Sequence, residues 1–381
     1  MKKIKCLFCG VFLLIIYVFS FMTLTANKAI SKLEGRLLTK FPEVSVKGIL
    51  QAEFRKQIEE AFSDQIPYRN ELVRLYFLFQ FQRYYGDVAI GKDGQLFASI
   101  LTVGESYFKR FEEVVEAIDK VGSEITDLDV EFILLSMPRK DAVMKDYLPS
   151  TYISSEEIYL KQLAIIKERL NKKIRIIDPY EVFSGGNYYF VTDHHLNIRG
   201  SDLLFQQIVS IIQEKHPDFT VASLDDYYDI TSVVINGSFN RQIGQKLTPE
   251  PEELFIKPKV MNFSYTRKDN GKDSTVPVWG NSDFSYATAY MNGDYGETVV
   301  ETNRDWLPNI LYVGSSYVNS LESLSVPWFN KMVSIDYRHN TSGLSIKDYV
   351  LLYDIDYVVF CPSQSTNAFP IDSVYNHLGL K

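Results

Sequence analysis

Cysteine is scarce in this chain: three in 381 residues, at Cys6, Cys9 and Cys361. The first two lie in an N-terminal apolar run, which leaves one thiol for the folded body. Neither an intradomain disulfide framework nor a cysteine-based zinc site can be built from it. Cys9 follows Leu7 and Phe8, not the small residues of a lipoprotein signal, which argues against lipidation there. Positive charge is also in short supply. Forty Lys and Arg face 48 Asp and Glu, a formal net charge of −8, and setting aside Lys2, Lys3 and Lys5 leaves about −11 for the remainder. An acidic body has no electrostatic reason to bind nucleic acid or anionic lipid, so that class is set aside. Histidine is sparse as well: His194 and His195 are adjacent, and His216, His339 and His377 form no ligand-like cluster. The chain has no internal repeat and no low-complexity tract.

What it does have is core-forming material. Hydrophobic residues make up 46% of the chain, with 25 Tyr and 25 Phe, enough for one large domain or two ordinary ones. One stretch is apolar throughout. After "KKIK" an uncharged run extends from Cys6 to Asn27. Some 20 residues of helix cross a bilayer core, and lysines before the run but not clustered after it place the N-terminus in the cytoplasm and the body outside. Residues 6–27 are therefore expected to anchor the chain in the membrane. A cleaved signal peptide is the rival reading, with "LTA" at 24–26 as a poor cleavage site.

Residues 28–85 read as a helical, membrane-proximal segment. Ile49, Phe54, Ile58 and Phe62 recur at helical spacing, Pro67 breaks the pattern, and a second helix is predicted from about Arg69 to Tyr85. "VAIGKDGQLF" (88–97) predicts a hairpin around a Lys-Asp-Gly turn. From residue 86 onward helices alternate with strands. Helices are expected over 105–122, 155–171, 198–215 and 345–353, and strands over 129–137, 173–179, 309–317, 332–338 and 355–362. That alternation implies an α/β domain with a parallel sheet covered on both faces. Residues 220–300 look less regular, an insertion carrying loops such as "INGSFNRQIG" over the sheet's edge.

In open α/β sheets function gathers at the C-terminal ends of the strands. "LYVGSSY" (311–317) has the form of a strand-to-helix nucleophile turn: Gly314 allows the tight backbone, and Ser316 stands where backbone amides can face a developing oxyanion. A helix cap explains the same residues, because serine caps well. "VTDHHLNIRG" (191–200) places Asp193 two residues before His195, so the carboxylate can fix the imidazole tautomer while the other ring nitrogen faces a nucleophile. A metal cradle would need further ligands that the other histidines do not supply, and a plain polar turn also accounts for the stretch. "LLSMPRKDAVMKDYLPS" (134–150) brings Lys140 to the same sheet edge.

Taken together these segments resemble the DHHW family of bacterial exported proteins, relatives of the SGNH-hydrolase-like domains of the alginate O-acetylation proteins AlgJ and AlgX. "TDHHLNIRG" is similar to the family's Asp-His-His-Trp signature. "FSDQIPYRNELV", "IGKDGQLF", the Pro-x-Lys of "MPRKDAVMKDYLP" and "VGSSY" fall in the family's order over about residues 40–360. The resemblance implies an SGNH-like fold with Ser316 as nucleophile, His195 as its general base and Asp193 orienting His195. Ser315, Tyr317, Lys140 and Asn303 are expected to support substrate or oxyanion, with Asn281 a second oxyanion candidate, and His194 to support the turn. Leu196 departs from the signature's Trp, and Ser315 stands where ordinary SGNH enzymes carry Asp. No cofactor or metal is implied. The expected activity is O-acetyl transfer to, or removal from, a cell-surface polysaccharide, with a multi-spanning membrane O-acyltransferase as acetyl-supplying partner. A non-catalytic envelope protein that binds glycan or a partner on the same fold is the alternative.

Overall fold

The computed structural model describes residues 2–31, 36–43, 52–83, 87–245, 247–280, 289–336 and 338–362. The chain divides into two compact units, residues 1–87 with 240–248, and residues 88–239 with 249–381.

The first unit contains helices α1 (Lys2–Thr25), α2 (Ala52–Gln65) and α3 (Arg69–Arg83). The side chains of α1 are described from Gly10 onward. Among the described residues no helix is long and apolar enough to cross a membrane. The conspicuous "SDQIPYR" stretch stitches this unit together through polar contacts. The Gln65 amide donates to the carbonyls of Lys28 and Thr39, and Asp64 accepts from the Thr39 amide at 2.8 Å while facing Arg69.

The second unit is built on an eight-stranded sheet. In chain order its strands are β1 (Glu131–Leu135), β2 (Arg175–Ile177), β3 (Thr266–Asp269), β4 (Lys272–Asp273), β5 (Glu297–Glu301), β6 (Asn309–Gly314), β7 (Lys331–Asp336) and β8 (Tyr357–Phe360), arranged β4-β3-β5-β7-β6-β8-β1-β2. The five strands from β7 to β2 are parallel. The sheet as a whole is mixed, because β5, β3 and β4 extend it in antiparallel fashion beyond β7. These three strands come from the middle region that the sequence presents as irregular.

The parallel strands are buried on both faces, which explains their continuous apolar character. Ile310 and Tyr312 of β6 face one core layer with Tyr357, Val359, Ile133 and Leu135. Leu311 and Val313 face the other with Val358, Phe360, Phe132 and Leu134. Helices α6 (Ile198–Lys215) and α7 (Asn319–Ser325) cover the first layer through Leu204, Phe205, Ile208 and Leu321. Helices α4 (Glu105–Thr126), α5 (Glu156–Arg169) and α8 (Ile346–Tyr353) cover the second through Phe111, Val115, Ile166 and Tyr349. Two hairpins stand outside the sheet: Val88–Ile90 with Leu96–Ala98, and Tyr228–Val234 with Pro251–Pro258.

Candidate active site

Strand β6 ends at Gly314, and the chain turns sharply through Ser315, Ser316 and Tyr317 into α7. The turn is closed by the Val318 amide donating to the Ser315 carbonyl at 3.0 Å. Gly314 is required because a Cβ there would stand 2.8 Å from Val318 Cγ1 and 3.2 Å from the Cys361 carbonyl oxygen. The Ser316 side chain is thereby held at the C-terminal edge of the parallel strands.

Asp193 and His195 come from a loop more than a hundred residues earlier. Residues 188–197 fold back on themselves: the Phe190 amide donates to the His195 carbonyl, the Asn197 amide donates to the Tyr188 carbonyl, and Asn197 caps the start of α6 by accepting from Gly200. Leu196, at the position of the signature's Trp, is buried in the core beneath this loop. At its tip one carboxylate oxygen of Asp193 accepts from the His195 ring Nδ1 at 2.7 Å and from the amides of His194 and His195 at 2.7 and 3.0 Å. The other oxygen accepts from the Ser238 amide at 2.6 Å. On the far side of the ring, His195 Nε2 stands 2.8 Å from Ser316 Oγ. Because the carboxylate only accepts, Nδ1 carries the proton and Nε2 presents its lone pair to the serine hydroxyl.

All three side chains are buried, Asp193 to 3%, His195 to 7% and Ser316 to 9% residual exposure. Burial alone would push the Asp193 carboxyl up, but the imidazoles of His194 and His195 and the Ser238 amide hold it well below the usual carboxylate range. Asp193 therefore stays an anion at neutral pH, able to stabilise a positive charge on His195.

The remaining predicted residues divide into those at the site and one remote from it. Tyr317 donates from its hydroxyl to the His194 carbonyl at 2.7 Å and lays its ring against both histidines. Ser315 is buried in the turn itself. His194 points its Nδ1 to the Ser238 hydroxyl at 2.8 Å, away from Ser316. Lys140 lies behind the loop and its ammonium donates to the carbonyls of Phe190 and Val191, so it contacts the backbone of the acid–base loop. Asn303 is not brought to the site. It follows β5, whose last residue Glu301 pairs with Lys331 at the start of β7, so Asn303 is exposed at the opposite edge of the sheet from Ser316. The antiparallel direction of β5 is the reason. Asn281 and His377 lie outside the described residues.

Three residues of the site carry no motif. Ser238 binds Asp193 and His194, Glu252 accepts from the Val191 amide at 3.0 Å, and Gly237 packs so closely that a Cβ would lie 2.2 Å from the Thr192 carbonyl oxygen. The Gly-Ser pair in "INGSF" was the available signal for two of them.

Asp193, His194 and His195 lie close enough together to ligate an ion. Their atoms are engaged otherwise: both carboxylate oxygens accept protein N–H groups, and His195 Nε2 faces Ser316. The donor set fits a proton relay to a serine nucleophile better than a metal centre.

This architecture recurs in solved structures. A DHHW family protein from Eubacterium siraeum superposes with a TM-score of 0.61 at 16% identity, over 77% of this chain and 96% of its own. The chain has the fold of a DHHW family protein. PatB1 from Bacillus cereus, in a structure with a sulfonyl adduct, gives a TM-score of 0.59 at 20% identity over 74% of this chain and 98% of its own. The O-acetyltransferase domain of Pseudomonas putida AlgJ is a looser match, with a TM-score of 0.44 at 15% identity over 77% of this chain and 92% of its own. For the first two, at such identities, the likeness is one of fold. No family model and no curated protein matches the sequence.

Proposed function

We propose that this protein is a serine-dependent O-acyltransferase or acetylesterase that works outside the cytoplasm on a cell-surface polysaccharide. The observation that carries the reading is the unbroken line from Asp193 through His195 to Ser316 Oγ, with both hydrogen bonds inside 2.9 Å. In this reading Ser316 Oγ attacks the carbonyl carbon of an acyl donor while its proton passes to His195 Nε2. The oxyanion is met by backbone N–H groups of the Ser316 turn. His195 returns the proton to the departing alcohol, leaving the acyl group on Ser316. A sugar hydroxyl or water then gives its proton to His195 and takes the acyl group, and Ser316 regains its hydrogen.

The uncharged run from Cys6 to Asn27 after three lysines supports a single-pass anchor with the body outside. The sequence resemblance to exported acetylation proteins favours transfer over hydrolysis, with a multi-spanning membrane O-acyltransferase as the source of acetyl groups. Ser316→Ala in the full chain, assayed with a chromogenic acetyl ester and with a sulfonyl fluoride followed by intact mass, tests the chemistry. The expected result is loss of at least about 10³-fold in turnover and of the mass adduct. Undiminished turnover by the variant refutes the serine mechanism, and a folded wild type that neither turns over nor labels favours a non-catalytic binding protein.

A further inference from the structure

Lys140 is buried to 3% residual exposure, where a lysine almost never stands unless it is partnered, and the acyl chemistry gives it nothing to do. It is brought to the loop by the chain leaving β1, on a short helical turn spanning Lys140–Val143. Its Nζ donates to the carbonyls of Phe190 at 2.7 Å, Val191 at 2.8 Å and Asp193 at 3.4 Å. An ammonium has three N–H donors, and each finds an acceptor on one loop. The Phe97 ring lies 5.2 Å away on the hairpin side, where the Leu96 amide also donates to the Val191 carbonyl.

The charged groups around it are few. Glu252 faces it from the Tyr228–Val234/Pro251–Pro258 hairpin and accepts from the Val191 amide, so the loop backbone runs between a cation that binds its carbonyls and an anion that binds its N–H. Asp193 faces it from the loop itself, with His194 and His195 beyond. On its own element Arg139 and Asp141 are paired with each other at 2.8 Å.

We propose that Lys140 is a positioning residue for the acid–base pair: as an ammonium it draws three carbonyls of the 190–193 loop together and so sets where the His195 ring stands against Ser316. This rests on Ser316 being the nucleophile. A neutral amine has two donors and no charge, so the loop loses a bond and the strength of the others when Lys140 gives up its proton. Burial lowers the Lys140 pKa from its ordinary 10.5 to about 7, with Glu252 and Asp193 opposing the shift. The proton is therefore lost in the neutral range.

The test is the rate at which phenylmethylsulfonyl fluoride labels Ser316 of the full chain, followed by intact mass as pH rises from about 5 to about 9. In the wild type the rate is expected to show an alkaline fall of about three- to tenfold centred near the Lys140 pKa of about 7. Lys140→Met should label roughly tenfold to a hundredfold more slowly than wild type at low pH and lack that fall. Glu252→Gln removes a charge that favours the ammonium, so the fall should move to lower pH. A residue that only props up the fold would leave the fall where it was. Equal rates and pH profiles for Lys140→Met and wild type overturn the proposal, as does an unmoved fall in Glu252→Gln. The second variant decides the matter even if Lys140→Met does not fold. A folded wild type without any adduct defeats the serine reading and this inference together, whereas a labelled wild type whose rate and pH profile both variants share defeats the inference alone.

Discussion

Replacing Asp193 by asparagine leaves the side chain's shape and removes its charge. Its two oxygens make different demands. One accepts from three N–H groups, of His194, His195 and the His195 ring, and the other accepts from Ser238 alone at 2.6 Å. An asparagine must turn its NH₂ toward one set or the other. Facing Ser238 it meets one donor; facing the histidines it meets three. The first orientation wins, and the His195 tautomer survives with Nε2 still free to accept from Ser316. What is lost is the difference between a charge-assisted and a neutral hydrogen bond on the developing imidazolium, about 1–1.5 kcal/mol, or roughly five- to tenfold in the rate of acylation. Had the amide faced the histidines instead, Nδ1 would become the acceptor, Nε2 would carry the proton, and the loss would approach about 10⁴. The donor–donor contact with Ser238 also costs about 1–3 kcal/mol of folding stability. Single-turnover labelling of Ser316 by a sulfonyl fluoride and urea denaturation give the two numbers separately. An asparagine variant that labels within about threefold of wild type would show that the buried carboxylate is not what orients and charges His195.

Two further substitutions follow from the same surroundings. Gly237→Ala inserts a Cβ 2.2 Å from the Thr192 carbonyl oxygen and 2.7 Å from Asp193 Cβ, so the loop must move. The variant should lose about 1–3 kcal/mol in urea denaturation and label Ser316 more slowly, and an unchanged labelling rate contradicts the packing described. Glu322, buried in α7 and hydrogen-bonded by the Ser334 hydroxyl, has its carboxyl pushed by burial from 4.5 up to about 8, with Asp294 and Asp336 adding to the shift. Its raised folded pKa means that its contribution is complete below about 4.5 and is lost as pH rises through about 8. Glu322→Gln should therefore flatten the fall in melting temperature between these limits and stabilise the protein near the upper one by on the order of a few kcal/mol. A wild type and variant with parallel pH profiles would refute this.

The parallel half of the sheet was legible because its strands are covered on both faces, so runs such as "EFILL" and "NILYVG" stand out as uninterrupted apolar segments. The antiparallel extension was not. Its strand "TRKD" has no apolar residue, and it joins the sheet by pairing with Glu297–Glu301 while Arg267 and Asp269 bond each other. Asp193, His195 and Ser316 each sit at a turn whose local residues announce it. Ser238 and Glu252 do not, since they reach the loop across 45 and 61 positions and their roles depend on where a polar hairpin folds back. Asn303 is a candidate by residue type alone, and strand direction, which residue type does not encode, places it at the opposite edge.

The order of strands has a consequence for what holds Ser316 and His195 at their spacing. Strand β6, which leads into the Ser316 turn, does not pair with β1; β8, the last of the sheet's described strands in sequence, lies between them and pairs with both. The loop that bears His195 precedes the serine by more than a hundred residues in sequence, and residues 357–360 fill the gap between β6 and β1 in the middle of the sheet. The spacing across which His195 meets Ser316 thus depends on a strand that contributes none of the three side chains.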